Sequence, residues 1–73
     1  MFYVYVIKRV SSGIYIGFTT DLRRRLKEHK TKWEGSSLIY YEAYHDEKLA
    51  RMREKQLKIY GSAYRGLRRR LKV

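Results

Sequence analysis

A chain of 73 residues makes one domain, and a domain that small buries only roughly 60% of the surface its unfolded chain exposes, so its core is limited. It contains no cysteine, which excludes a disulfide framework and a thiolate zinc site, and its longest apolar runs, Val4 to Ile7 and Leu38 to Tyr41, are strand-length, so no signal peptide or membrane span is expected. Eighteen Lys and Arg against seven Asp and Glu leave a formal +11 with a pI near 10.2, a balance that points to a polyanionic partner, nucleic acid first, for a cytoplasmic protein with no membrane association.

Residues 1–9, "MFYVYVIKR", are rich in aromatic and β-branched types without helical spacing and read as a strand. "VSSG" follows as a turn closed by Gly13, and residues 14–19 resume the strand pattern, so residues 2–19 form a β-hairpin. Pairing Arg9 with Gly13 sets Tyr5 opposite Gly17 and Tyr15 opposite Ile7. Tyr3, Tyr5 and Tyr15 then share one face, and Val4, Val6, Ile16 and Phe18 the other. In this register Gly17 is expected to leave open space beside two phenols, room for a substrate.

Thr20 or Asp21 can cap a helix running to Lys30, on which Leu22, Leu26 and His29 follow i, i+4, i+7 spacing and Arg25 falls on the same stripe. Residues 31–36, "TKWEGS", are a connection, and "LIYYEAY" from Leu38 is a third strand. Asp46 caps a second helix whose buried stripe is expected to be Leu49, Met52, Leu57 and Ile59, stopped by Gly61. A last basic helix, Ala63 to Leu71, pairs Leu67 with Leu71 and is weakened by Gly66. The order is β-β-α-β-α-α, an α+β domain spanning residues 1–73.

The charge is uneven. Residues 21–30 carry five basic and two acidic side chains, and residues 51–73 carry nine basic and one acidic. Both segments read as helices, so Arg23, Arg24, Lys27, Lys32, Arg53, Lys58, Arg68 and Arg69 are the expected phosphate contacts. Within this basic C-terminal third Glu54 stands as a single carboxylate. On a helix surface it is commonly a solvated pair with Lys58. It also suits a hard metal, because Mg²⁺ is often held by one carboxylate together with waters and substrate phosphate oxygens.

Other residues carry similar double readings. Eight tyrosines serve mainly as strand and core residues, and tyrosine with its ordinary pKa near 10 is a difficult base without help from a cation. His29 is either a satisfied histidine under the strands or a proton donor or acceptor. Arg25 either snorkels past Leu22 and Leu26 or stabilises charge. Trp33 is either a small-core plug or a platform for a base. Taken together, Tyr5, Tyr15, Arg25, His29 and Glu54 supply a base, a charge stabiliser, a proton carrier and a metal ligand, the parts phosphodiester hydrolysis needs.

Tyr3-Val4-Tyr5, Tyr15-Ile16-Gly17, "TTDLRRRLKEH", "LIYYEAY" and "REKQLK" together resemble the GIY-YIG endonuclease domain over nearly the whole chain. The resemblance is strongest to the small stand-alone bacterial proteins of the YhbQ-like branch and more distant to the nuclease domain of the UvrC repair subunit. It implies a three-stranded antiparallel sheet flanked by helices and one divalent metal, usually Mg²⁺ with Mn²⁺ as a substitute, at Glu54. It also implies that Tyr15 or Tyr5 assists deprotonation of the attacking water, that Arg25 stabilises the scissile phosphate, and that His29 orients or relays a proton. Two departures accompany it. Tyr3 and Val4 replace the usual Gly and Ile of the first motif, and "KTKWEG" is shorter than the usual loop after the histidine and lacks its Asn.

The resulting expectation is a metal-dependent DNA endonuclease acting in DNA repair or processing, with little sequence selectivity because phosphate contacts position a protein without reading bases. A non-catalytic nucleic-acid-binding module on the same scaffold and an RNA-associated structural protein are the alternatives. A monomer is favoured.

Overall fold

The computed structural model describes residues 1–10, 13–59 and 62–72. In chain order the elements are β1 (Phe2–Arg9), β2 (Gly13–Thr19), α1 (Leu22–Lys32), β3 (Ser37–Tyr44), α2 (Glu47–Lys58) and α3 (Ser62–Leu71). The strands form one antiparallel sheet in the order β2-β1-β3, so the expected α+β architecture is the observed one. The hairpin register also follows the expectation, with Arg9 opposite Gly13, Tyr5 opposite Gly17 and Ile7 opposite Tyr15. Gly13 takes φ +82°, which a residue with a Cβ adopts only at a cost. The rest of the predicted turn, Ser11 and Ser12, lies outside the described residues, as does the stop assigned to Gly61.

Strand alternation makes the sheet two-faced. Val4, Val6 and Ile16 project to one side, where Ala50 and Leu57 of α2 and Leu67 of α3 close a small aliphatic core. Tyr5, Gly17 and Tyr15 lie on the other side, under α1. A register irregularity between Val6 and Ile7 sets Val6 opposite Tyr40 but Ile7 opposite Leu38, and the extra residue, Ile39, packs against the aliphatic core.

The helix starts follow local chemistry. Asp21, not Thr20, caps α1, its carboxylate accepting from the Arg24 amide at 3.0 Å, while Thr19 Oγ1 accepts from the Asp21 amide at 3.0 Å. Asp46 caps α2 by accepting from the Lys48 amide at 2.8 Å. At its other end α1 runs two residues past the predicted Lys30, and Trp33 closes it with its amide on the His29 carbonyl.

The inward stripe of α2 differs from the prediction. Leu49, Met52 and Ile59 are exposed at 52%, 50% and 67%, and only Leu57 of the predicted set is buried, with Ala50. Between those two the sheet-facing positions are Arg53 and Glu54, both half-buried. An arginine is tolerated there because β3 offers it a partner on the same face. Arg53 Nε donates to Glu42 Oε1 at 2.9 Å and Nη2 to Oε2 at 3.1 Å, while the Tyr40 and Tyr44 hydroxyls donate to the same carboxylate at 2.6 and 2.5 Å. Polar partnership on the facing strand therefore outweighed the apolar spacing visible along the helix.

Burial pushes the Glu42 carboxyl up, but the bonds from Arg53, Tyr40 and Tyr44 outweigh it and hold the pKa below its ordinary 4.5. A group whose folded pKa is depressed contributes stability above its unfolded value and loses that contribution as pH falls through the folded one. The network is therefore fully stabilising above about pH 4.5 and fails in acid. Replacing Glu42 with Ala orphans a half-buried guanidinium and two hydroxyls. Urea titration is expected to show a loss of about 1–3 kcal/mol at pH 7, and a much smaller difference from the parent protein at pH 3.

Candidate active site

The site is built on the tyrosine face of the sheet. A Cβ at Gly17 would overlap the Tyr5 hydroxyl and come within 2.9 Å of the Tyr15 ring. The expected clearing at Gly17 is therefore not open: the Tyr5 phenol itself lies in it. Only glycine lets that ring cross β2, because any side chain on the same face would occupy the same volume.

Laid across Gly17, Tyr5 is fully buried, and its hydroxyl shares a 2.8 Å hydrogen bond with His29 Nε2 from α1. Burial, the neighbouring Tyr15 and, less, the Glu54 charge push the Tyr5 phenol up to about 12, against a smaller opposing pull from Arg25. Tyr5 is thus a protonated phenol at neutral pH. The His29 pKa moves the other way, below its ordinary 6.5, because burial disfavours the imidazolium and the Arg25 and Lys32 charges add repulsion. The pair is a neutral phenol against a neutral imidazole.

Tyr15 and Trp33 complete the cluster. The Tyr15 ring centre is 5.2 Å from that of His29 and 6.3 Å from that of Tyr5, and Trp33 stacks on His29 at 4.8 Å with an interplanar angle of 11° while meeting Tyr15 edge-on at 5.1 Å. The Arg9 guanidinium lies 4.2 Å from the Trp33 ring centre and Lys32 Nζ 5.4 Å from it. Of the two readings of Trp33, the plug is the one realised, since its ring is taken up by protein groups. Sequence spacing gave no sign of its partnership with Arg9, which joins residues far apart in the chain.

Arg25 is half-exposed and donates to Glu28 Oε1 at 3.0 Å, and this bond together with the nearby Tyr5 phenol holds its pKa above the ordinary value. It is within electrostatic range of both Tyr5 and His29. Glu54 comes from the opposite layer. Its side chain is 19% exposed and ion-paired to Lys58 at 3.0 Å, and its charge acts on Tyr5. Tyr15 and Lys58 line one cleft of about 330 Å³ with Ile14, Ile16 and Tyr64 at the β2 edge. Of the five residues singled out in the sequence, Tyr5, Tyr15 and His29 are thus in mutual contact where the Tyr5 ring crosses β2, and Arg25 and Glu54 lie within electrostatic range of Tyr5.

The basic residues divide. Arg23, Arg24 and Lys27 line a shallow depression on α1, and Lys32 sits over Trp33. Lys58 is paired with Glu54, and Arg53 is held by Glu42. Arg68 approaches the Tyr64 ring at 5.8 Å, and Arg69 is exposed on α3. Because α1 covers the tyrosine face and α3 packs into the aliphatic core on the other, the two basic helices do not form one flat surface.

For a metal, the donor set is informative. Among the described residues no group of three His, Cys, Asp or Glu side chains could hold an ion. The half-buried Glu54 carboxylate, shared with Lys58, is a hard oxygen donor of the kind that holds Mg²⁺ together with water and phosphate oxygens, and no three-ligand cage of the transition-metal kind surrounds it among the described residues.

Two measurements check this geometry. The ¹H NMR titration of His29 is expected to have its midpoint below 6.5, and Trp33→Ala, by admitting water to the imidazole, should move that midpoint upward. In Gly17→Ala the added methyl forces Tyr5 from its place, so the variant should lose about 1–3 kcal/mol in denaturant titration and show a His29 resonance that no longer matches the parent.

Comparison with known proteins places the chain in a family. A model of the GIY-YIG catalytic domain matches residues 1–68. A UPF0213 protein of Haloquadratum walsbyi is 31% identical over 67 residues, covering 80% of this chain and 74% of the relative. No solved structure matches the chain significantly. With the family pattern spread over both motif strands, α1 and the Glu54 helix, the chain belongs to the GIY-YIG catalytic-domain family, a family of nucleic-acid endonucleases.

Proposed function

We propose that the protein is an Mg²⁺-dependent endonuclease that hydrolyses phosphodiester bonds in DNA, acting in the cytoplasm in repair or processing of DNA structures. The observation that carries the reading is the contact of Tyr5, Tyr15 and His29, with Arg25 and Glu54 within electrostatic range of Tyr5, in a domain whose α1 and α3 are basic.

Glu54 would hold the Mg²⁺, with Mn²⁺ as a substitute, and when bound the ion supplies Lewis-acid neutralisation of the phosphate oxygens. Lys58 occupies the Glu54 carboxylate in the free protein and is the side chain displaced toward the DNA backbone when that carboxylate is engaged. Tyr15, at the β2 edge and only partly buried, is the base that accepts a proton from the attacking water. Tyr5, fully buried with its hydroxyl on His29 Nε2, serves to hold His29 in place. Neutral His29 is able to take up a proton at physiological pH and so to relay it from the tyrosine face. Arg25, always charged and half-exposed, meets the negative charge that develops on the phosphate. Attack forms one P–O bond and breaks another, and the departing oxygen leaves with a proton.

A second reading, a binding module without catalysis, draws on one feature: the Glu54 carboxylate is already paired with Lys58 and belongs to no three-ligand metal group among the described residues. One panel separates the two. Supercoiled, branched and single-stranded DNA are incubated with the pure protein in Mg²⁺, Mn²⁺ or chelator. Cleavage is expected with either metal, none with chelator or in Glu54→Gln, and a loss of about 10²–10³-fold in Arg25→Ala. Intact DNA under all metal conditions, with salt-sensitive binding retained by Glu54→Gln, establishes the binding module instead.

A further inference from the structure

We propose that the groove between the Tyr3–Tyr41 pair and the first half of α1 is a subsite for one unpaired nucleobase of the DNA, near the scissile phosphate; this rests on the nuclease reading above. The groove encloses about 430 Å³, and its walls are Tyr3 and Tyr41 on the sheet and Leu22 and Leu26 on α1, with Asp21 and Arg23 among its polar lining.

Its position comes from strand register. Tyr41 on β3 is the cross-strand partner of Tyr5, so the two share a face with Cα atoms about 4.5–5.5 Å apart. Tyr3 lies two residues from Tyr5 on the same face, about 6.6 Å along β1. Because the Tyr5 hydroxyl lies over Gly17 on β2 and Tyr41 is on β3, the groove is about two strand spacings, roughly 10 Å, from the cluster, within reach of a nearby nucleotide of a strand whose phosphate lies there.

The groove's chemistry selects the occupant. Tyr41 lies on the edge strand β3, is 53% exposed, and meets the Tyr3 ring at an angle of 62° and 6.2 Å, so one aromatic face stands open for stacking while a second ring closes the end. Arg23 also lines the adjoining depression with Arg24 and Lys27, a landing place for phosphates on a chain of net charge +11. The Asp21 carboxylate, fixed as the α1 cap, lines both hollows, but in the groove it faces one lining cation, Arg23, and in the depression three, so the depression is the more positive. The anionic backbone is thereby kept to the arginine side, and the uncharged base is the part of the nucleotide that enters. Stacking accepts any base, because each presents a π face, so the subsite favours unpaired nucleotides without selecting a sequence.

The test is anisotropy binding in chelator at low salt, with a labelled single-stranded thymidine oligomer and an abasic oligomer of equal length. The parent protein is expected to bind the base-bearing strand roughly 5- to 100-fold more tightly. Tyr41→Ala should abolish that preference while leaving abasic binding unchanged, and Tyr41→Phe should retain it. Tyr41 is half-exposed, so Tyr41→Ala should fold, which its circular dichroism melt verifies, and Tyr3→Ala provides a second variant. Equal binding of both strands by the parent, or a preference that survives Tyr41→Ala and Tyr3→Ala, overturns the subsite. A dimer that Tyr41→Ala dissociates, with the strand preference intact, also overturns it and makes the groove a contact between copies. Metal-dependent cleavage without a Tyr41-dependent preference removes this inference alone, whereas a Tyr41-dependent preference in a protein that never cuts removes the nuclease reading and leaves the subsite standing.

Discussion

The arrangement of the site depends on one hydrogen bond made possible by one missing side chain. Tyr5 reaches across β2 because position 17 has no Cβ, and there its hydroxyl meets His29. That bond ties α1 to the sheet on a face where close contact comes from aromatic rings and not from an aliphatic interface. His29 in turn is held by Trp33 on the same helix end and neighbours Tyr15 on the edge strand. A shift of one residue in the hairpin would carry Tyr15 to the other face and leave Gly17 opposite a different side chain.

The two faces of the sheet do different work for this reason. On the aliphatic face Val4, Val6 and Ile16 meet Ala50, Leu57 and Leu67, and a carboxylate with three donors completes the layer. Arg53 fills one inward position of α2 and is neutralised by Glu42 from β3. On the other face the buried groups are functional types, a phenol and an imidazole, both kept uncharged by burial at neutral pH. Neutrality at the centre and charge at the rim, Arg25 from one layer and Glu54 from the other, is an arrangement suited to receiving a phosphate.

The basic surface is shaped by the same layering. Arg23, Arg24 and Lys27 are on the helix that covers the tyrosine face, and the arginines of α3 are on the helix that packs into the aliphatic core, so the positive charge is divided between the two sides of the sheet. Several of the cations are already engaged: Arg53 by Glu42, Lys58 by Glu54, Arg25 by Glu28 and Arg9 by Trp33. Net charge alone overstates how many of them are immediately available to phosphates.

Sequence by itself determined the element order, the hairpin register and the face shared by Tyr3, Tyr5 and Tyr15, because strand alternation and a glycine at the turn are local rules that need no partner. It also singled out Tyr5, Tyr15, Arg25, His29 and Glu54 as a candidate set, through motifs spread over most of the chain. Only the tertiary structure decided what fills the space at Gly17, since that depends on the length of a side chain arriving from the next strand. The inward face of α2 was illegible for a similar reason: Leu49, Met52 and Ile59 make a regular apolar stripe, but Glu42 and two tyrosine hydroxyls on β3 made Arg53 the better neighbour. Trp33 was ambiguous in the chain and unambiguous in the fold, because whether an indole plugs a core or presents a face is settled by which rings and cations other elements bring to it.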